Sequence, residues 1–129
     1  MGKKYLIDTN VISHLFSERL PQNGKDFLKK VIDENFIISV IVEIEILTYH
    51  ELPDKMPLIE EFLQFANVLA LDTITTQKTI ELRRNNRKLK IADAIIAATA
   101  MVNDFILITN NTKDFKDIEG LELIDPHLI

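Results

Sequence analysis

An α/β fold, three layers deep with short, mainly parallel strands in its central layer, is what this sequence predicts. Three observations carry that expectation. Short, uniformly apolar runs alternate with stretches of helical periodicity, the pattern of strands buried on both faces. Three glycines and four prolines in 129 residues are too few turn formers for a many-stranded sandwich or barrel. Apolar residues make up 47% and charged residues 27%, enough for a real core and incompatible with intrinsic disorder. No linker, repeat or low-complexity segment divides the chain, so residues 1–129 read as one domain.

The elements follow in order. Tyr5-Leu6-Ile7 is a short apolar strand ending at Asp8, and 9–16 a short helix. Residues 25–34 place Phe27, Leu28, Val31 and Ile32 at helical spacing, with Gly24 ahead of the helix. Phe36-Ile37-Ile38 is the second strand, Ser39 suits a helix N-cap, and 40–49 is the helix it would start. Pro53 and Pro57 punctuate a loop before a helix marked by Leu58, Ile59, Phe62, Leu63 and Phe65. The third strand spans 68–71, a helix 75–84, and 92–103 is apolar almost all round, the mark of a helix buried on most sides. Residues 105–108 and 121–124 are the fourth and fifth strands.

Composition removes several function classes. Without cysteine there is no disulfide framework, zinc ribbon or thiol nucleophile. His14, His50 and His127 are too scattered to suggest a zinc cluster. Only Tyr5-Leu6-Ile7 separates Lys3-Lys4 from the first acid, far less than the ~7–15 apolar residues of a signal peptide. Gly2 raises myristoylation, but Leu6 stands where a hydroxyl is needed. The longest apolar stretch, 94–102, falls well short of the roughly 18 residues needed to cross a bilayer. The expectation is a soluble cytoplasmic protein with no membrane partner.

Charge is uneven. The formal total is −5, yet residues 78–90 hold six basic side chains and one acid. An acidic total argues against a nonspecific nucleic-acid coat, but not against an acidic pocket beside a basic landing strip. A solvated helix face is the plainer reading of the same segment.

In a parallel sheet the functional crevice lies beyond the carboxyl ends of the strands. Acids occupy those positions here: Asp8 after the first strand, Glu43 and Glu45 on the helix after the second, Asp93 at the start of the apolar helix, and Asp114 shortly after Ile108. Each has a structural alternative as a cap, a helix-dipole partner, a turn former or an exposed helix residue. Together they are harder to dismiss. The runs Val-Ile-Val-Glu-Ile-Glu-Ile-Leu and Asp-Ala-Ile-Ile-Ala-Ala contain no lysine or arginine, and a buried carboxylate needs a charge partner or a metal. A shared divalent cation would satisfy several acids at once, and hard oxygen ligands select Mg²⁺ or Mn²⁺.

Four segments then carry a resemblance: Tyr-Leu-Ile-Asp8-Thr9-Asn10-Val-Ile; Ile38-Ser39-Val-Ile-Val-Glu-Ile-Glu45-Ile-Leu; Ile91-Ala92-Asp93-Ala-Ile-Ile-Ala-Ala-Thr-Ala; and Ile108-Thr109-Asn-Asn111-Thr-Lys-Asp114-Phe115. In this order and spacing the chain resembles the PIN-domain ribonucleases, closest to the VapC-type toxins of bacterial toxin–antitoxin operons, over residues 4–126. The resemblance implies a PIN-like three-layer fold and an acidic quartet of Asp8, Glu45, Asp93 and Asp114 serving as both metal ligands and catalytic groups. It chooses Glu45 over Glu43, because the family's glutamate lies about six residues after the strand-end serine; residues two apart on a helix point about 200° apart, so only one of the two can face the pocket. Thr9, Asn10, Thr109 and Asn111 match the family's supporting polar positions. Tyr49 departs from a common glycine, a difference expected to touch packing rather than chemistry. Asp104 and Asp117 miss the pattern and are expected at the surface.

The resemblance further implies metal-dependent cleavage of RNA, with Mg²⁺ or Mn²⁺ as cofactor and a 3′-hydroxyl and 5′-phosphate as products. Asp8 would bridge two ions, Glu45 and Asp93 would complete the first sites, and Asp114 would act through water or hold a second ion. Arg83, Arg84, Arg87, Lys88 and Lys90 are candidates to grip the RNA backbone, contacts that position without reading sequence. The implied partners are a small antitoxin, with a basic residue inserted among the acids, and a second copy in a homodimer. Apolar residues of the helices at 11–16 and 25–34 are candidate contacts, although Leu15 and Phe16 suit the core equally. One alternative is a catalytically inactive PIN module binding RNA or a protein, which four retained, mutually repelling acids disfavour. Another is a receiver-like signalling domain, which lacks its paired acids after the first strand.

Overall fold

The computed structural model describes residues 2–49 and 51–129. The order is β1 (Tyr5–Ile7), α1 (Thr9–Phe16), α2 (Gln22–Glu34), β2 (Ile37–Ser39), α3 (Val40–Leu47), α4 (Met56–Leu63), β3 (Asn67–Leu69), α5 (Thr73–Asn85), α6 (Ile91–Val102), β4 (Ile106–Ile108) and β5 (Leu123–Ile124). Short 3₁₀ turns occupy Pro53–Lys55, Thr112–Asp114 and Pro126–Leu128.

Every strand pairing is parallel. β1 pairs with β4 in the register Tyr5–Ile106, Leu6–Leu107, Ile7–Ile108, and β4 pairs with β5. β2 pairs with β3. β2 also runs close beside β1, giving the strand order β3-β2-β1-β4-β5. The layer is not one continuous ladder, because no ladder bonds join β2 to β1. Leu6, Ile7, Ile38, Leu107 and Ile108 are fully buried, as strands covered on both faces must be. α6 is buried from Ala94 through Ala100, as its apolar circumference requires.

Several boundaries move from their expected places, each for a local reason. α2 begins at Gln22, just after Pro21, and carries Gly24 inside its first turn rather than ahead of it. A Cβ there would meet the Pro126 carbonyl oxygen at 1.9 Å, so glycine is required by the close approach of the last 3₁₀ turn. Pro57 lies within the first turn of α4, where the missing N–H has no helical partner to lose. α5 begins at Thr73 because the Asp72 carboxylate accepts the Thr75 N–H at 2.8 Å; β3 correspondingly ends at Leu69. α3 stops at Leu47, leaving Tyr49 beyond it.

The apolar residues of α1 and α2 face inward more than expected. Val11, Ile12 and Leu28 are fully buried, Phe16 packs edge-on against Phe62, and Phe27 against Tyr5. Exposed apolar side chains lie instead at Ile44, Leu47, Leu58, Phe65, Ile74, Ile80 and Ile91. Among the described residues, no helix is long and apolar enough to cross a membrane.

Candidate active site

Asp8 ends β1 at the carboxyl edge of the sheet, its N–H donating to the Ile108 carbonyl at 3.0 Å. Its backbone is extended and its side chain caps α1, accepting the Thr9 N–H at 2.8 Å. The other carboxylate oxygen accepts the Thr109 hydroxyl at 2.9 Å. Thr109 follows β4 and is fully buried. Its hydroxyl oxygen in turn accepts from the Asn111 N–H at 3.1 Å and the Asn10 amide at 3.5 Å. Asn10 Oδ1 accepts the Asn110 N–H at 3.1 Å. The four polar positions singled out in the sequence thus form one network stitching the end of β1 to the end of β4.

Ser39 caps α3 by accepting the Ile41 N–H at 3.1 Å, which fixes the helical phase. That phase turns Glu45 to the site, where it accepts the Thr9 hydroxyl at 2.6 Å. Glu43 lies away from this cavity. Asp93 sits in the first turn of α6. Asp8, Glu45 and Asp93 line one cavity of about 580 Å³ with Thr9, Asn10 and Asn111. Asp114, at the end of the 3₁₀ turn after β4, is exposed and outside the lining, although its charge reaches Asp93.

The acids perturb one another. Burial pushes Asp8 up to about 6, opposed by its bonds from Thr109 and Thr9 and reinforced by the charges of Asp93 and Glu45. Burial also raises Asp93, with Asp114 and Glu45 adding to the rise and Lys90 opposing it. Ion pairs among the described residues join Lys3 to Asp104 and Glu122, and Lys78 to Glu81; none reaches the four acids. Asp104 and Asp117 are exposed, as expected.

Hard oxygen donors on an anionic wall, with no ion pair to them among the described residues, suit Mg²⁺ or Mn²⁺. Among the described residues no three acidic or histidine side chains already stand close enough to enclose an ion. Mg²⁺ keeps several waters and needs only one or two carboxylates, so the donor set fits such an ion.

The cavity contains residues that sequence reasoning missed or misjudged. Ser13, His14, Thr48, Tyr49 and Glu51 also line it. Tyr49 lines the cavity, where its hydroxyl donates to Glu51 at 2.8 Å and the Ser13 hydroxyl lies 3.4 Å away. His14 and His127 are not scattered, since His14 Nδ1 and His127 Nε2 stand 2.8 Å apart. His50 lies outside the described residues. A hydroxyl or histidine one or two turns along a helix from Asp8 was the only available signal, and it is a weak one.

The basic segment forms a separate feature. Arg83, Arg84 and Arg87 line a second cavity of about 460 Å³ with Thr79, Ile80 and Ile91. Arg83 donates to the Leu89 carbonyl at 3.2 Å. Lys88 is exposed, and Lys90, at the N-cap of α6, is near enough to Asp93 to favour its ionised form.

Comparison with known proteins bears on this geometry. The PIN domain profile matches residues 5–121. The tRNA(fMet)-specific endonuclease VapC of Shigella flexneri is 28% identical over 130 residues, covering 95% of this chain and 97% of its own. A toxin–antitoxin complex from Klebsiella pneumoniae contains a chain 29% identical, with TM-score 0.74, covering 95% of this chain and 98% of that one. DNA-bound VapBC from Salmonella typhimurium superposes with TM-score 0.80 at 22% identity, over 97% and 99%, a likeness of fold.

Proposed function

The chain belongs to the PIN-domain family, and from that premise we propose that it is a metal-dependent endoribonuclease, the toxin of a toxin–antitoxin pair, acting as one domain over residues 1–129. The carrying observation is the convergence of Asp8, Glu45 and Asp93 on one cavity, with no ion pair to any of them among the described residues. The VapC relative and the toxin–antitoxin structure support the same reading.

In this reading Asp8, Glu45 and Asp93 would hold Mg²⁺ or Mn²⁺, with Asp114 contributing from the rim. A bound divalent ion supplies a nucleophilic water near neutral pH and counter-charge for the phosphodiester's developing negative charge. The chain's own residues prepare the site. Thr109 and the Thr9 N–H each occupy one oxygen of Asp8, which fixes the carboxylate plane. The Thr9 hydroxyl does the same for Glu45. Asn10 and Asn111 hold Thr109 in place. Arg83, Arg84, Arg87, Lys88 and Lys90 take the RNA backbone, and Lys90 lies where the basic segment meets the acidic cavity.

The partners proposed are RNA, a small antitoxin that covers the cavity with a basic side chain, and a second copy of the chain. Exposed Ile44, Leu47 and Leu58 supply apolar surface for protein contacts. The proposed compartment is the cytoplasm. The test is direct: purified protein is incubated with RNA and Mg²⁺ or Mn²⁺, then with EDTA. Cleavage that EDTA stops is expected; intact RNA with either ion overturns the assignment.

A further inference from the structure

His14, on α1, is part of the cavity wall. Its Nδ1 lies 2.9 Å from Asn110 Nδ2 and 2.8 Å from His127 Nε2. The same Asn110 Nδ2 stands 3.4 Å from the Asn10 carbonyl oxygen, which can only accept. The atom facing His14 is therefore the donor end of the amide, and His14 Nδ1 must accept. A neutral imidazole that accepts at one nitrogen carries its proton on the other. His14 thus holds an N–H at Nε2, which has no partner among the described residues. Burial, then His127 and Arg19, push the His14 pKa down against Asp125, which agrees with a neutral ring.

His127 is held as firmly. Its backbone N–H donates to the Asp125 carboxylate at 2.9 Å. The neighbouring Pro126 carbonyl lies where a Cβ on Gly24 would stand, so the turn is pressed against α2. His127 Nε2 stands beside that same His14 Nδ1, at 2.8 Å, and closes the ring's inner edge.

Resting on the nuclease reading above, we infer that His14 contacts the substrate: its Nε2–H donates to a non-bridging phosphate oxygen of the RNA backbone, with His127 as the positioning residue behind it. Much of the wall is carboxylate, which only accepts, whereas a phosphodiester oxygen needs donors. A neutral N–H supplies one without adding a cation that would pair with Asp8. A protonated Nε2 also cannot ligate a metal, and Nδ1 is already occupied.

The test compares His14→Leu, His14→Gln, His127→Ala and the double variant His14→Leu/His127→Ala, each verified as folded by thermal melting. His14→Leu is expected to lower kcat/KM about 10–100-fold, mostly through KM, the scale of one hydrogen bond to a charged acceptor. His14→Gln retains an N–H and should recover most of the loss. His127→Ala should raise KM less, and should add nothing in the His14→Leu background, whereas a merely structural role would add. RNA binding by Asp8→Asn protein, with and without His14→Leu, reads the same contact without cleavage. Unchanged KM and unchanged RNA affinity on His14→Leu overturn the inference. Inactive wild type would instead overturn the nuclease assignment, and the binding arm would still decide the role of His14.

Discussion

Asp8 and Arg84 are both charged side chains near the end of a regular element, and they live under opposite conditions. Asp8 is buried, has both carboxylate oxygens bonded to threonine, and sits where two strands meet. Arg84 is exposed at the end of a helix, on the wall of an open cavity with Arg83 and Arg87. The first region is a fixed network in which removing one charge alters every neighbour. The second is a set of nearly independent cations, each screened by solvent. A site of the first kind supplies chemistry, because charge placed at low dielectric and without reorganisation acts strongly. A site of the second kind supplies graded affinity.

The contrast is broken or sharpened by four measurements. The largest effect is expected from Asp8→Asn, which should cut RNA cleavage at least ~10³-fold with the fold intact, since the proposed function makes it a metal ligand whose transition-state charge stabilisation would be lost. Near-normal activity in enzyme purified free of wild type would dissolve the distinction between the two regions.

Next comes the pair on α3. Glu45→Gln keeps an acceptor for the Thr9 hydroxyl but drops the charge, and should cost roughly 10²-fold or more in cleavage. Glu43→Gln should leave cleavage unchanged. The reverse pattern would place Glu43 in the site and rotate the helix assignment.

A smaller effect concerns stability without metal. Asp8 is raised from 3.8 to about 6, so the folded state binds its proton more tightly than the unfolded chain does. That stabilisation is fully present below the unfolded value and is lost as pH rises through the folded value. Asp93 is shifted in the same direction. In EDTA, then, wild type should weaken between mildly acidic and neutral pH as far as these groups decide, and Mg²⁺ should restore it by binding only the folded form. Asp8→Asn should raise metal-free stability at neutral pH by up to about 3 kcal/mol, the scale of a shift of roughly two pKa units. Denaturant titrations decide it: no gain from Mg²⁺ and a less stable Asn variant would make Asp8 a structural cap.

The smallest effect should come from the basic region. Replacing Arg83, Arg84 and Arg87 with alanine should weaken RNA binding and flatten its salt dependence by up to about 2 in log–log slope, at ~0.7 per single-strand phosphate contact. An unchanged slope returns the segment to a solvated face.

What the sequence disclosed was whatever has a local signature. Apolar triplets such as Leu107 with its neighbours located the strands, and Ser39 announced α3. Asp72 also had a local signature, yet the expected start of α5 fell later, because a threonine-rich first turn shows little apolar periodicity. Hidden features depended on residues distant in the chain. Gly24 looked like a helix boundary and is instead a contact site for Pro126. His14 meets His127 across 113 positions, and periodicity cannot report that. Asp114 is exposed, and only its field on Asp93 ties it to the cavity.

The parallel pairing of β1 with β4 has a consequence for how the protein comes into being. Asp8 is made 101 residues ahead of its Thr109 donor. Parallel neighbours so far apart cannot join during early synthesis, and loop closure must wait for the distant strand. On a translating ribosome the nascent chain therefore lacks the fixed Asp8 carboxylate until the segment containing β4 has emerged. A destructive activity built this way stays latent while its own message is being read.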